Sequence, residues 1–315
     1  MTTDQTQTPG RSCPLRYRYG AAAIGCAPFV ETDTLYVVGG LYGNVEALET
    51  IEQMVATEKG AVRLCFNGDF NWFNVDDESF QTVMSRVLAH DAVLGNVEAE
   101  LGVEGDEAGC GCAYPDSVDA AVVERSNRIH ARLKATASRH PDLTTRLAAL
   151  PMFARYQVGA CQIGIVHGDA DSLAGWRFSR AELAQPDSMQ WLQQAFEQAN
   201  VDVFASSHTC EPVLHPVHRD QGLGAVINNG AAGMPNYSGQ RSGLITRISR
   251  VAIERTTLLG ASVGARLTIK DVEVAAITVP YHHARWQSRF LANWPEGSDA
   301  YASYYARIMG NMEST

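Results

Sequence analysis

Four short apolar runs in this chain, AVRLCFNGD (61–69), DAVLGN (91–96), QIGIVHG (162–168) and VDVFASSH (201–208), each end in polar residues. Helical patterns separate most of them. Before them, LYVVGG (35–40) reads as a buried strand and NVEALETIEQMVATEK (44–59) as a helix, with Asn44 at its N-cap and Gly60 after its end. Alternation of this kind predicts an α/β fold. In open α/β sheets, ligands bind just beyond the carboxyl ends of the strands, so the polar strand ends are the first place to look for chemistry.

The later segments AVINN (225–229), GLITRI (243–248) and ARLTIKDVEVAAITV (265–279) read as strands without long helices between them, which predicts a second, more antiparallel sheet. Between Asn96 and His167 the chain is longer than one crossover requires. A Gly/acidic loop, EGDEAGCGCAYPD, and helices near 116–139 and 142–149 are read there as an insertion able to cover a site. Residues 281–310 are aromatic and helical, with Ser298 as a cap, and are expected to pack on the core. The expected organisation is a tail and lead-in (1–31), one domain (32–280) with an insertion at 101–150, and a C-terminal aromatic helical segment (281–315).

Net charge is −10 and no Lys/Arg block occurs, which argues against a nucleic-acid surface. The polar start MTTDQTQTPGR reads as a disordered tail, and no apolar run is long enough to span a membrane. Seven scattered cysteines do not form a secreted disulfide framework, so a cytoplasmic protein is expected. GGLYGN, after a strand and before a helix, invites a dinucleotide-binding reading. However, G-x-G-x-x-G would need glycine at position 38, which is Val38.

The polar ends read better as one group. Asp69, Asn96, His167 and His208 supply a carboxylate, an amide oxygen and two imidazoles, a donor set suited to a divalent transition metal such as Mn, Fe, Ni or Zn. In order, GLYGN (40–44), GD (68–69), GNVE (95–98), HG (167–168), SHTC (207–210) and NNGAAG (228–233) resemble the motifs of the calcineurin-like metallophosphoesterases, in particular their small bacterial type. The resemblance covers roughly residues 32–250. It implies an α/β fold, a four-layer sandwich of two mixed β-sheets flanked by helices, with two metal ions at the sheet ends.

Carried over by position, Asp69 is the bridging carboxylate, and Asn96, His167 and His208 complete one metal site. The second site is altered. Gly40 and Tyr42 stand where the first motif has Asp and His, Cys210 replaces the last histidine, and Val97 replaces the histidine that shuttles a proton. Compensations are expected from Glu98 as proton donor, from Tyr42 as a hydrogen-bond donor to substrate, from Cys210 as a thiolate ligand and from Asp169 as a partner orienting His167. Cys110 and Cys112 could fold back as further thiolates, with His215 and His218 as spare imidazoles. Asn44, Asn229 and Gly230 are the substrate-side candidates.

The expected function is metal-dependent hydrolysis of phosphate mono- or diesters using one intact site, on a small phosphorylated substrate, with self-association left open. The alternative is a catalytically degenerate relative that binds a phosphorylated ligand or a protein partner.

Overall fold

The computed structural model describes residues 8–253 and 260–311, so most of the segment expected to be a tail lies outside the described residues. Twelve strands run in chain order: β1 (Phe29–Thr32), β2 (Thr34–Val38), β3 (Val62–Asn67), β4 (Asp91–Val93), β5 (Phe153–Val158), β6 (Cys161–Val166), β7 (Val203–Ser206), β8 (Pro212–Arg219), β9 (Gly222–Asn229), β10 (Gly243–Ser249), β11 (Val263–Ile269) and β12 (Val272–Val279). The helices are α1 (Ala21–Cys26), α2 (Val45–Thr57), α3 (Asp77–Val87), α4 (Asn96–Leu101), α5 (Ala120–Ala137), α6 (Pro141–Ala148), α7 (Arg180–Leu183), α8 (Ser188–Ala199), α9 (His283–Asn293) and α10 (Asp299–Ile308).

The strands form two six-stranded sheets, ordered β1-β5-β6-β7-β9-β8 and β11-β12-β10-β2-β3-β4. Both are mixed. In one, β6 is parallel to β7 and β7 to β9, while β5 and β8 pair antiparallel. In the other, β2, β3 and β4 are parallel and β10, β11 and β12 are antiparallel. The late strands therefore do not make an antiparallel sheet of their own. AVINN joins the first sheet as β9, and the rest extends the second. Hydrophobicity marks these residues as strands, but pairing is decided by which edge each connection can reach.

Side chains alternate across β2, and the alternation assigns the layers. Leu35 and Val37 point between the sheets and meet Ile163, Ile165, Val203 and Ile227. Tyr36 and Val38 point outward into a second core with Leu48, Ile51, Phe80 and the C-terminal Trp286 and Phe290. On the far face, Phe204 and Val226 pack with Ile24, Leu192 and Phe196 of α1 and α8. The order of layers is helices, sheet, sheet, helices. Among the described residues, no helix is long and apolar enough to cross a membrane.

Local capping fixes where helices begin behind the strand ends. The Asn44 side chain accepts from Ala47 N at 2.9 Å and starts α2, a cap worth about 1 kcal/mol. Asp76 does the same for α3 through Ser79 N at 2.8 Å. The segment expected as an insertion folds into α5 and α6, and α9 and α10 pack over α2 and α5.

Candidate metal centre

The carboxyl ends of β3, β4, β6 and β7 meet at one rim. Asn67, the last residue of β3, crosses between the sheets by donating its amide to Val166 O at 3.0 Å. Beyond it the chain turns at Gly68, where φ is +96° and an added Cβ would lie 2.3 Å from His167 Nδ1. A side chain there would strike the imidazole, so the G-D pair is needed for the strand end to approach His167. Asp69 follows in a left-handed conformation at φ 57°.

His167 Nε2 is the hub of the site. It stands 2.8 Å from Asn96 Oδ1, 3.1 Å from His208 Nδ1 and 3.5 Å from Asp69 Oδ1. The opposite side of each group is taken by an acceptor. His167 Nδ1 faces Asn67 O at 2.8 Å, His208 Nε2 faces Cys112 O at 3.0 Å, and the Asn96 amide donates to Cys110 O at 2.8 Å. These outer partners assign the protons to Nδ1 of His167 and Nε2 of His208 and fix the orientation of the Asn96 amide. What remains facing inward is two imidazole lone pairs and an amide oxygen, together with Asp69 Oδ1, which is buried and has no hydrogen-bond partner.

Burial pushes His167 down to about 4 and His208 well below the usual histidine range, the latter also through the neighbouring His167, so both rings are neutral near pH 7. Burial raises Asp69, and it raises Glu98 further with the help of the Asp69 charge. Two imidazole lone pairs, an amide oxygen and a buried carboxylate whose ionised form lacks a partner suit a cation, which would favour that ionised form. Donors bonded at about 2.1 Å to one ion stand roughly 3.0–3.4 Å apart, close to the separations found here. Among the described residues, no group of three or more His, Cys, Asp or Glu side chains is arranged to hold a metal ion, and Asp69 and His208 each approach His167 Nε2 rather than surround an open centre with it.

The neighbouring side of the rim is built differently. Tyr42 has φ 54°, and its ring lies where a side chain at position 40 would go: a Cβ added to Gly40 would meet that ring at 2.8 Å. The Tyr42 hydroxyl is hydrogen-bonded to the Cys210 thiol, and Cys210 is also left-handed, at φ 55°. Burial raises both groups, Tyr42 well above its ordinary value and Cys210 to about 11, so they face the cavity as neutral O–H and S–H. Gly40 and Tyr42 are thus one packing unit, in which the glycine leaves the space that the ring fills.

The other expected residues find definite places. Glu98 accepts from the backbone amides of Asp69, Phe70 and Gly95 at 2.9, 2.8 and 3.2 Å. Both its oxygens are committed to holding the Asp69 turn, which leaves a positioning role in place of the expected proton donation. Asp169 likewise accepts from Asp171 N, Ser172 N and Arg177 N and makes a turn rather than orienting His167. Asn44 donates to Gly233 O, and Asn229 donates to Gly39 O and Leu244 O. Neither Asn44 nor Asn229, nor Gly230, lines the cavity.

The acidic loop does fold back over the rim, but it does so through its carbonyls, because Cys110 and Cys112 are joined in a disulfide. That pairing replaces the expected pair of free thiolates. His215 and His218 lie on edge strand β8 and do not reach the site.

A cavity of about 170 Å³ opens beside Asp69, Asn96 and His208. Its walls include Trp72, Trp176 and Tyr304, and Arg307 reaches it from the last turn of α10. No motif in the sequence marks these wall residues. The aromatic content of 281–310 was visible, but nothing local marks Arg307, which reaches the cavity only because α10 packs against α5.

No family model matches the sequence, and no curated protein is significantly similar to it. Solved structures are similar in fold. A metallophosphoesterase from Sphaerobacter thermophilus superposes with a TM-score of 0.54 at 16% identity, over 89% of this chain and 100% of that one. A hypothetical protein from Pyrococcus horikoshii OT3 gives 0.54 at 15% identity, over 90% of this chain and 100% of its own. Two mixed sheets flanked by helices, four donors at the strand ends in motif order and these neighbours agree: the chain has the metallophosphoesterase fold.

Proposed function

We propose that this protein is a metal-dependent phosphoesterase that uses a single divalent transition ion, held by Asp69, Asn96, His167 and His208, on a small phosphate ester. The observation that carries the reading is the convergence of four oxygen and nitrogen donor atoms, one of them the unpartnered Asp69 Oδ1, beside a cavity walled by aromatic side chains. When bound, such an ion supplies Lewis-acid polarisation of a phosphoryl oxygen and lowers the pKa of bound water.

The chain's own groups do the rest. Asn67 O and Cys112 O hold the two imidazoles in register, Glu98 holds the turn that presents Asp69, and the aromatic walls exclude bulk water. Val97, which lines the cavity where the resemblance expects histidine, has no proton to give. The leaving group must therefore depart with little help, which favours esters of acidic alcohols such as phenols. A cavity of about 170 Å³ is smaller than the 300 Å³ or more typical of drug-sized ligands, which supports small substrates.

The test is an assay of purified protein on aryl and alkyl phosphate mono- and diesters with Mn²⁺, Ni²⁺ or Zn²⁺. Aryl esters should turn over at least tenfold faster than alkyl esters. Absence of turnover with every metal and ester refutes the reading. Val97 and the neutral Tyr42–Cys210 pair favour a second reading, binding of a phosphorylated ligand without hydrolysis. Saturable ligand binding with no product would select it.

A further inference from the structure

The C-terminal helix α10 does more than cover the core. Arg307, in its last turn, directs its side chain back across the chain. Nε donates to Pro235 O at 2.8 Å, and Nη2 reaches Cys210 O at 3.3 Å and Asn236 Oδ1 at 3.4 Å. These partners are all neutral oxygens, and Nη1 makes no hydrogen bond among the described residues. Among the described residues that line the cavity, Arg307 is the one Lys or Arg.

Its position is informative. Tyr42 and Cys210 occupy the places where the motif resemblance expects ligands of a second ion. Arg307 Nη2 bonds Cys210 O, and Arg307, Tyr42 and Cys210 line the same cavity. A fixed guanidinium therefore stands beside the filled second site, on the same cavity as the four-donor set. Arginine suits that place because its charge needs no ligands, and with Nε and Nη2 held by Pro235 O, Cys210 O and Asn236 Oδ1 its Nη1 remains to donate to a phosphoryl oxygen.

We propose that Arg307 is the phosphate anchor of this cavity, a covalently attached positive charge from α10 that stands in for the second ion that Tyr42 and Cys210 no longer hold. The proposal rests on the reading that the cavity takes a phosphorylated substrate. The anchored group is a phosphoryl oxyanion, with its ester substituent against the cavity walls formed by Trp72 and Trp176.

The test is calorimetric titration of Mn²⁺-loaded protein with inorganic phosphate, for the wild type, Arg307→Met and Arg307→Lys, with Mn²⁺ affinity and melting temperature measured alongside. Arg307→Met should weaken phosphate binding by about 30-fold or more while Mn²⁺ affinity stays within about threefold. Arg307→Lys keeps the charge but loses the hydrogen bonds to Pro235, Cys210 and Asn236 that fix the guanidinium, so it should bind roughly tenfold more weakly than the wild type. A purely structural arginine would lower the melting temperature and leave phosphate affinity alone.

Equal phosphate affinity in wild type and Arg307→Met overturns the proposal. If Arg307→Met does not fold, equal affinity in Arg307→Lys overturns it instead. Absence of phosphate binding by the wild type also overturns it, whereas ester turnover decides the phosphoesterase reading independently.

Discussion

On one side of the rim, Asp69, Asn96, His167 and His208 turn lone pairs toward one another, while on the other side Tyr42 and Cys210 turn an O–H and an S–H. Both sides are formed by loops after strands of the same two sheets, and both contain left-handed residues, Asp69 on the first and Tyr42 and Cys210 on the second. The first side cannot satisfy itself, because each donor's outer face is already occupied by a backbone oxygen or, for Asp69 Oδ1, has no partner at all. The second side is closed, with a phenol and a thiol satisfying each other over a glycine that makes room for the ring. Buried polar groups are normally paired, so the unpaired set is the place for the proposed ion, whereas the paired set needs no ligand to satisfy it.

The largest expected effect breaks the first side. His167→Ala removes the hub and should lower Mn²⁺ or Zn²⁺ affinity by about a thousandfold, read by calorimetry. Cys210→Ser, on the second side, should leave one ion bound per chain. Two ions per chain in the wild type, with the second lost in Cys210→Ser, would show that the two sides are not different in kind.

The next prediction reopens the second side. Gly40→Asp alone places a Cβ against the Tyr42 ring at 2.8 Å and forces a non-glycine residue to φ 62°, so it should destabilise the fold by about 3 kcal/mol. Combining it with Tyr42→His removes the ring that blocks the site. The double variant should be less destabilised than the sum of the two single variants by about 1 kcal/mol or more, measured by urea unfolding. Strict additivity would mean that the two positions changed independently and that the glycine is not there for the ring.

Much of the first side was legible in the chain because it is written locally. A short apolar strand followed within a few residues by a polar one predicts both the element and the place of the side chain, and β3, β4, β6 and β7 are each followed by one donor in that way. The Asn44 cap and the α2 helix were readable for the same reason. The second side was legible as a loss but not as a replacement, since nothing near Gly40 states that a ring two residues later fills its space.

Other features depended on contacts far apart in sequence. Strands β1, β5 and β8, of which β1 and β8 are sheet edges, went unread because β1 is short and exposed, β5 is only partly buried and β8 contains two prolines. Arg307 contacts Cys210 across 97 positions. Glu98 was read as an acid because its commitment to three backbone amides exists only once the turn after β3 meets the start of α4.

A smaller effect tests whether pairing, rather than burial alone, separates the two kinds of buried carboxylate. Glu58 caps α2 on the same sheet that carries Asp69, but it receives Arg247 Nε at 2.6 Å and the Tyr36 hydroxyl at 2.6 Å. Burial alone would raise it, as it raises Asp69, yet the hydrogen bonds from Arg247 and Tyr36 outweigh burial and hold its pKa below the ordinary glutamate range. A carboxylate lowered in the folded state stabilises the protein above its unfolded value, about 4.3, and loses that contribution as pH falls through the folded value. Glu58→Gln should therefore cost about 2 kcal/mol at pH 7, less than a fully buried pair because Glu58 keeps some contact with solvent. The difference between the two proteins should shrink steadily below pH 4 as the wild-type carboxylate is protonated. Urea midpoints at pH 7, 5 and 3 check this, and a difference independent of pH would mean that shape, not charge pairing, is what Glu58 contributes.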